Sequence, residues 1–139
     1  MQQESQPGQE LSIPVDEPTR SRLSTRLLEL GMLKDGWLNG EGLALPASGL
    51  QFISEQIVAP YPKTIALPAA FPTAEGNMLW EWDLTGSPSI EFDLTELSAL
   101  YHALTPTGGD VQHEFDLRSS EGRSLLFAFL LRELDRSAS

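Results

Sequence analysis

Between residues 77 and 117, apolar and acidic positions trade places at a period of two. Trp80-Glu81-Trp82-Asp83-Leu84, Ser89-Ile90-Glu91-Phe92-Asp93-Leu94 and Val111-Gln112-His113-Glu114-Phe115-Asp116-Leu117 each set large apolar side chains on one side and polar or acidic ones on the other. Successive side chains of a strand point to opposite faces, so these segments predict a sheet with one buried and one charged face. Strands are expected near 77–84, 89–94, 98–104 and 111–117, parted by Gly86-Ser87-Pro88, Thr95-Glu96 and Pro106-Thr107-Gly108-Gly109. Connections this short make the neighbouring strands antiparallel.

Elsewhere the period is helical. Leu23, Leu27, Leu30 and Leu33 form an apolar stripe on a first helix that Asp16 or Thr19 caps and Gly31 or Gly36 ends. Its polar side carries Arg20, Arg22 and Arg26. Pro46 opens a second helix reaching about Val58, with Leu50, Ile53 and Ile57 turned inward, and Pro60 and Pro62 stop it. The connection over 60–76 is proline-rich. A strand within Ile65–Phe71 must lie at a sheet edge because Pro68 lacks a backbone donor. A closing helix from Ser120 to Asp135 presents Leu126, Phe129, Leu130 and Leu134, although Leu125–Phe129 also reads as a strand. The expectation is an α+β fold with two N-terminal helices and a four- to five-stranded antiparallel meander. A C-terminal helix packs on one face, and the helices cover the side bearing Trp80, Trp82, Ile90, Phe92 and Phe115. Residues 1–14 are polar with little to bury and are expected to be a disordered leader to a single domain over 15–139.

Charge narrows the partners. Nine Lys plus Arg against twenty Asp plus Glu leave a net charge of −11. That disfavours nucleic acid, which needs clustered cations, and favours a protein with a basic surface or a divalent cation. The chain has no cysteine, so disulfides, thiolate nucleophiles and Cys-ligated metal centres are excluded. The longest apolar run, Leu125–Leu131, falls far short of the roughly 20 residues a membrane helix needs. Met1–Pro14 lacks the basic start and apolar run of a secretory signal, so a cytoplasmic location is expected.

Candidate chemistry centres on Glu81, Asp83, Glu91, Asp93, Glu114 and Asp116, expected together on the outer sheet face. Like charges opposite each other on a sheet are unfavourable, and a partner's arginines, the protein's own, or a metal would offset that cost. The leading expectation is a non-enzymatic interaction module that masks a basic partner with these six carboxylates. The alternative is a metal-dependent hydrolase using the same residues, since Glu-x-Asp sets two hard oxygen ligands on one side. A nuclease is disfavoured, because the only lysines are Lys34 and Lys63. No Gly-x-Ser-x-Gly elbow accompanies His102 or His113, so catalysis is not expected and no cofactor is assigned. Trp37, between Gly36 and the pair Gly40 and Gly42, either plugs the core or stands out as a binding anchor. The glycines lack the Gly-Lys-Ser/Thr ending of a phosphate loop. A third reading places Trp80, Trp82 and Tyr101 around a small ligand. Self-association remains compatible with all of these, with Arg20, Arg22 and Arg26 of a neighbour meeting the acidic face.

Asp35-Gly36-Trp37-Leu38-Asn39-Gly40-Glu41-Gly42 with Pro46, then Phe71-Pro72-Thr73-Ala74-Glu75-Gly76, then Trp80-Glu81-Trp82, Ile90-Glu91-Phe92-Asp93-Leu94 and Tyr101-His102-Ala103-Leu104 follow one another in a distinctive order. In this the chain resembles a family of small bacterial proteins of unknown activity that share D-G-W-x-x-G-x-G-x-x-P, P-T-x-E-G and E-W motifs. The likeness covers roughly residues 33–117. It implies a bacterial accessory protein and carries no activity over to any residue.

Overall fold

The computed structural model describes residues 16–138, so the leader expected over 1–14 lies outside the described residues. The chain runs α1 (Asp16–Leu30), α2 (Ala47–Ile53) continuing into a π-helical stretch (Ser54–Val58), β1 (Ala69–Pro72), β2 (Met78–Glu81), β3 (Ser89–Asp93), β4 (Ser98–Leu104), β5 (Asp110–Asp116) and α3 (Ser120–Ala138). The strands form one antiparallel sheet in the order β1-β2-β3-β4-β5. The fold is therefore α+β: the described residues form three α-helices, the last of them C-terminal to a five-stranded meander.

Several boundaries differ from the sequence reading, each for a local reason. The edge strand expected within Ile65–Phe71 spans Ala69–Pro72, beginning once Pro68 is passed and ending one residue later than that range. β2 stops at Glu81 instead of running to Leu84. Trp82 N–H still reaches Pro88 O at 3.0 Å, but Ser87 and Gly86 then take positive φ values of 48° and 85° and turn the chain. Leu125–Phe129 is helical, because its apolar run continues the stripe that begins at Gly122. The second helix changes pitch: Ala59 N–H donates to Ser54 O, five residues back, at 3.0 Å. The wider turn brings both Ile57 and Val58 into the core.

Two rows of inward side chains cross the sheet. Ala70, Trp80, Ile90, Tyr101 and His113 form one, and Pro72, Met78, Phe92, Ala99 and Phe115 the other. Over them lie Leu23, Leu27 and Leu30 of α1, Leu50 and Ile53 of α2, and Leu126, Phe129, Leu130 and Leu134 of α3, all buried. Trp80 is the centre of an aromatic cluster with Tyr61, Trp82 and Phe92, each edge-on to it.

Polar atoms inside this core find partners. Tyr61 Oη donates to Ala66 O (2.7 Å) and accepts from Trp82 Nε1 (3.1 Å), which also donates to Ala66 O (2.9 Å). Burial pushes the Tyr61 hydroxyl well above the ordinary tyrosine range, and the Trp82 bond offsets only part of that. The folded protein thus favours neutral Tyr61, whereas an unfolded chain ionises it near pH 10. Stability is then full below about pH 10 and falls above it, by up to about 1.4 kcal/mol per pH unit. Tyr61→Phe is expected to cost about 1 kcal/mol at pH 8 and to make the alkaline loss shallower. Urea melts of both proteins at pH 8 and pH 11 check this, and parallel losses would contradict it.

Candidate functional site

The sheet's other face is open to solvent among the described residues. Three rows of side chains cross it. The middle one reads Phe71, Leu79, Glu91, Leu100, Glu114 from β1 to β5; beside it run Ala69, Glu81, Ser89, His102, Gln112 and, on β3 to β5, Asp93, Ser98, Asp116. Five of the six expected carboxylates therefore share this face. Asp83 does not sit on a strand: it lies past the end of β2, in the turn toward Ser89.

The register decides how these charges meet. No two carboxylates are direct cross-strand partners, because Leu100 stands between Glu91 and Glu114 and Ser98 between Asp93 and Asp116. Members of each pair are two strands apart, about 9.5 Å, where two charges in water repel by about 0.4 kcal/mol rather than the 0.8 of direct neighbours. The register thus sets the five strand carboxylates in a spaced array. Two are also engaged locally. Asp93 Oδ1 accepts from the Thr95 and Glu96 amides at 3.0 and 2.8 Å and shapes the β3–β4 turn. Asp116 Oδ1 accepts from Arg118 Nε at 3.0 Å, and that hydrogen bond holds its carboxyl below the usual carboxylate range. Among the described residues no group of three or more His, Asp or Glu is placed to hold a metal ion.

Sequence reasoning missed the apolar part of this face. Phe71 and Leu100 are each 41% exposed and Leu104 52%, with half-buried Leu79 between Phe71 and Glu91. The signal was available: Met78-Leu79-Trp80 and Ala99-Leu100-Tyr101 each hold three apolar residues in a row, and an alternating strand must turn the middle one outward. Charge is equally one-sided. From residue 64 to residue 117 the sequence contains nine Asp or Glu and no Lys or Arg. The nearest cation on this side, Arg118, is taken up by Asp116. His102 Nε2 lies 3.4 Å from Asp110 Oδ2 at the end of β4.

The remaining candidates have structural places. Trp37 is half-buried, and neither a core plug nor a free anchor: its Nε1 donates to Leu43 O at 2.8 Å and its ring lies over Gly42. The loop closes through a Leu38–Glu41 bridge around Asn39 and Gly40, both at positive φ, as a tight two-residue hairpin turn requires. Asp35 Oδ1 accepts from Ala44 N–H, and Leu43 N–H reaches Ala74 O at 3.0 Å. The D-G-W loop thus docks on the P-T-A-E-G turn between β1 and β2, and their chemistry is hydrogen bonding of backbone. Trp80, Trp82 and Tyr101 are core side chains. His113 packs on Phe129 at a centroid distance of 4.7 Å, the rings tilted by 48°, on the inner side. Arg26, expected to be available to a neighbour, donates from Nε to Ala70 O at 2.9 Å and pairs with Glu29.

Comparison with known protein families, curated proteins and solved structures returns no match. No helix among the described residues is long and apolar enough to cross a membrane.

Proposed function

We propose that the protein is a non-enzymatic interaction module, a bacterial cytoplasmic accessory of antitoxin, immunity or chaperone type, whose outer sheet face covers a basic partner. The observation that carries this is the composition of the face: Phe71, Leu79, Leu100 and Leu104 exposed or half-exposed among Glu81, Glu91, Asp93, Glu114 and Asp116, with no lysine or arginine on any strand. Apolar anchors supply affinity when desolvated, and a ring of like charge selects and steers an oppositely charged partner. A merely solvated face has no need of four large apolar side chains.

Glu91→Lys/Asp93→Lys/Glu114→Lys replaces attraction by repulsion at three positions, each worth about 0.2–1 kcal/mol as an exposed pair. The combined loss should lie between about 0.6 and about 3 kcal/mol, up to roughly 150-fold in affinity. Tagged protein in an extract of its own host should capture one stoichiometric basic partner at low salt. The partner should be released at high salt and be absent with the triple variant, whose melting temperature stays near that of the parent. Equal capture by the parent and the variant would refute the reading.

A further inference from the structure

The two edges of the sheet are built differently. β1 is four residues long, follows Pro68, ends at Pro72, and has the outward carbonyl of Ala70 occupied by Arg26 Nε. Short length, proline and a basic side chain are the usual protections of an exposed edge. β5, by contrast, is seven residues long and contains no proline, lysine or arginine. Its backbone polarity follows from the bonds at either end. Leu117 N–H donates to Leu97 O, and Thr105 N–H to Gly109 O, so odd-numbered residues of this segment pair with β4. The N–H and C=O groups of Asp110, Gln112 and Glu114 therefore point away from the sheet, toward the side where no strand lies among the described residues, while the Asp116 carbonyl at the end of the edge is covered by Gly122 of α3.

α3 extends this edge on the inner side. Phe129 packs on Tyr101, His113 and Phe115 at centroid distances of 4.7, 4.7 and 5.4 Å, which sets the helix over β4 and β5. Arg123, lying over Phe52 of α2, marks the flank of α3 turned toward the other helices. Leu125 is about 200° further round the helix, on the opposite flank with Phe129, and is 56% exposed. A strand added outside β5 would rest its inward side chains on Leu125 and Phe115, beside Phe129, which is buried with the Arg132 guanidinium 5.3 Å from its ring. Its outward side chains would stand beside Gln112, Glu114 and Asp116.

From this geometry we infer that β5 is a strand-addition site for an extended partner segment that alternates apolar and basic residues. The inference rests on the reading that the partner is basic, but it concerns the backbone edge rather than the outer face. The chemistry selects the occupant. Lysine or arginine opposite Glu114 and Asp116 forms favourable cross-strand pairs. A second copy of this chain is disfavoured, since symmetric antiparallel pairing about His113 sets Asp110 against Asp116 between two molecules of charge −11. Main-chain hydrogen bonds would provide the affinity and the alternation the specificity.

The probe is acetyl-Lys-Val-Lys-Val-Lys-Val-Lys-amide, titrated into the full chain and followed by amide NMR and calorimetry. Saturable binding is expected, with exchange of the Gln112 and Glu114 amides slowed about tenfold or more. The same peptide with glutamates should bind about tenfold more weakly, and one backbone N-methylated at its lysines should not bind. Gln112→Pro removes an outward donor without touching the ladder to β4, so it should abolish binding and leave the fold intact. Should that variant fail to fold, Glu114→Lys decides instead by reversing the preference between the two peptides. Glu81→Lys/Glu91→Lys, three and two strands inward, should change peptide affinity less than about threefold at physiological salt. Binding that survives N-methylation or Gln112→Pro but is lost in Glu81→Lys/Glu91→Lys would overturn the edge site and leave the face reading standing. No binding at millimolar peptide, or β5 amides already protected by self-association, would overturn it too. The face reading is then decided separately by partner capture with the triple variant.

Discussion

Trp80→Ala is expected to cost about 3–5 kcal/mol, the largest loss at any single position of the core. Trp80 is fully buried at the middle of β2, with Phe92 edge-on at 4.7 Å and Tyr61 and Trp82 edge-on at 6.3 Å. Removing the indole deletes these contacts and leaves a cavity that four surrounding elements cannot all close. A domain of this size is stable by about 5–15 kcal/mol, so the variant loses about a fifth or more of its margin. The melting temperature should drop by roughly 10–20 °C. Trp80→Phe keeps an aromatic edge toward Phe92 and should recover about half of the loss. Its Nε1 contributes little, because its partner is the weak acceptor Met78 Sδ at 3.3 Å. Urea denaturation of the parent and both variants decides this, and a loss below about 1.5 kcal/mol for alanine would show that the site relaxes freely.

Gly49→Ala is expected to destabilise by about 2–3 kcal/mol, although helix propensity alone predicts a gain of about 1 kcal/mol. Gly49 is in α2, where an alanine normally helps. Here a Cβ would collide with the backbone carbonyl of Leu94 and stand 2.7 Å from Leu94 Cβ. Leu94 lies just past β3, held by its N–H bond to Asn77 Oδ1 at 3.1 Å, so it cannot simply yield. The helix must lift instead, and Leu50 and Ile53 lift with it. Steric cost therefore outweighs propensity, and the sign of the change is the test. A variant as stable as the parent or more so would mean that α2 is not seated against β3. Gly122 makes the same kind of approach to the Asp116 carbonyl, which is how α3 can start within four residues of β5.

Alternation in Ile90-Glu91-Phe92-Asp93 and Val111 through Leu117 was enough to place strands β3 and β5 and to say which side chains face inward. A period of two has only one reading once one face must leave water. The helical stripes of Leu23, Leu27 and Leu30 and of Leu126, Phe129 and Leu130 were equally legible, for the same reason at a period of 3.6. The outward placement of Glu81, Glu91, Asp93, Glu114 and Asp116 follows from that alternation too.

Other features depend on which residues face one another across strands, and no local pattern carries that. Register alone puts Leu100 between Glu91 and Glu114 and turns a crowded acidic cluster into a spaced array with an apolar centre. Long-range packing decides that Trp37 closes its own loop, that Gly49 must lack a side chain, and that Arg26 leaves the solvent to cap Ala70 O across 44 residues of chain. Strand order decides which edge is protected and which is open, because a strand's sequence does not record whether a neighbour lies beyond it. By itself, then, the sequence determined the elements, their buried faces and the sign of the surface, since these are set by side-chain period and hydration. Tertiary structure decided spacing, close approach and the open β5 edge, since these arise only when distant segments compete for the same few ångströms.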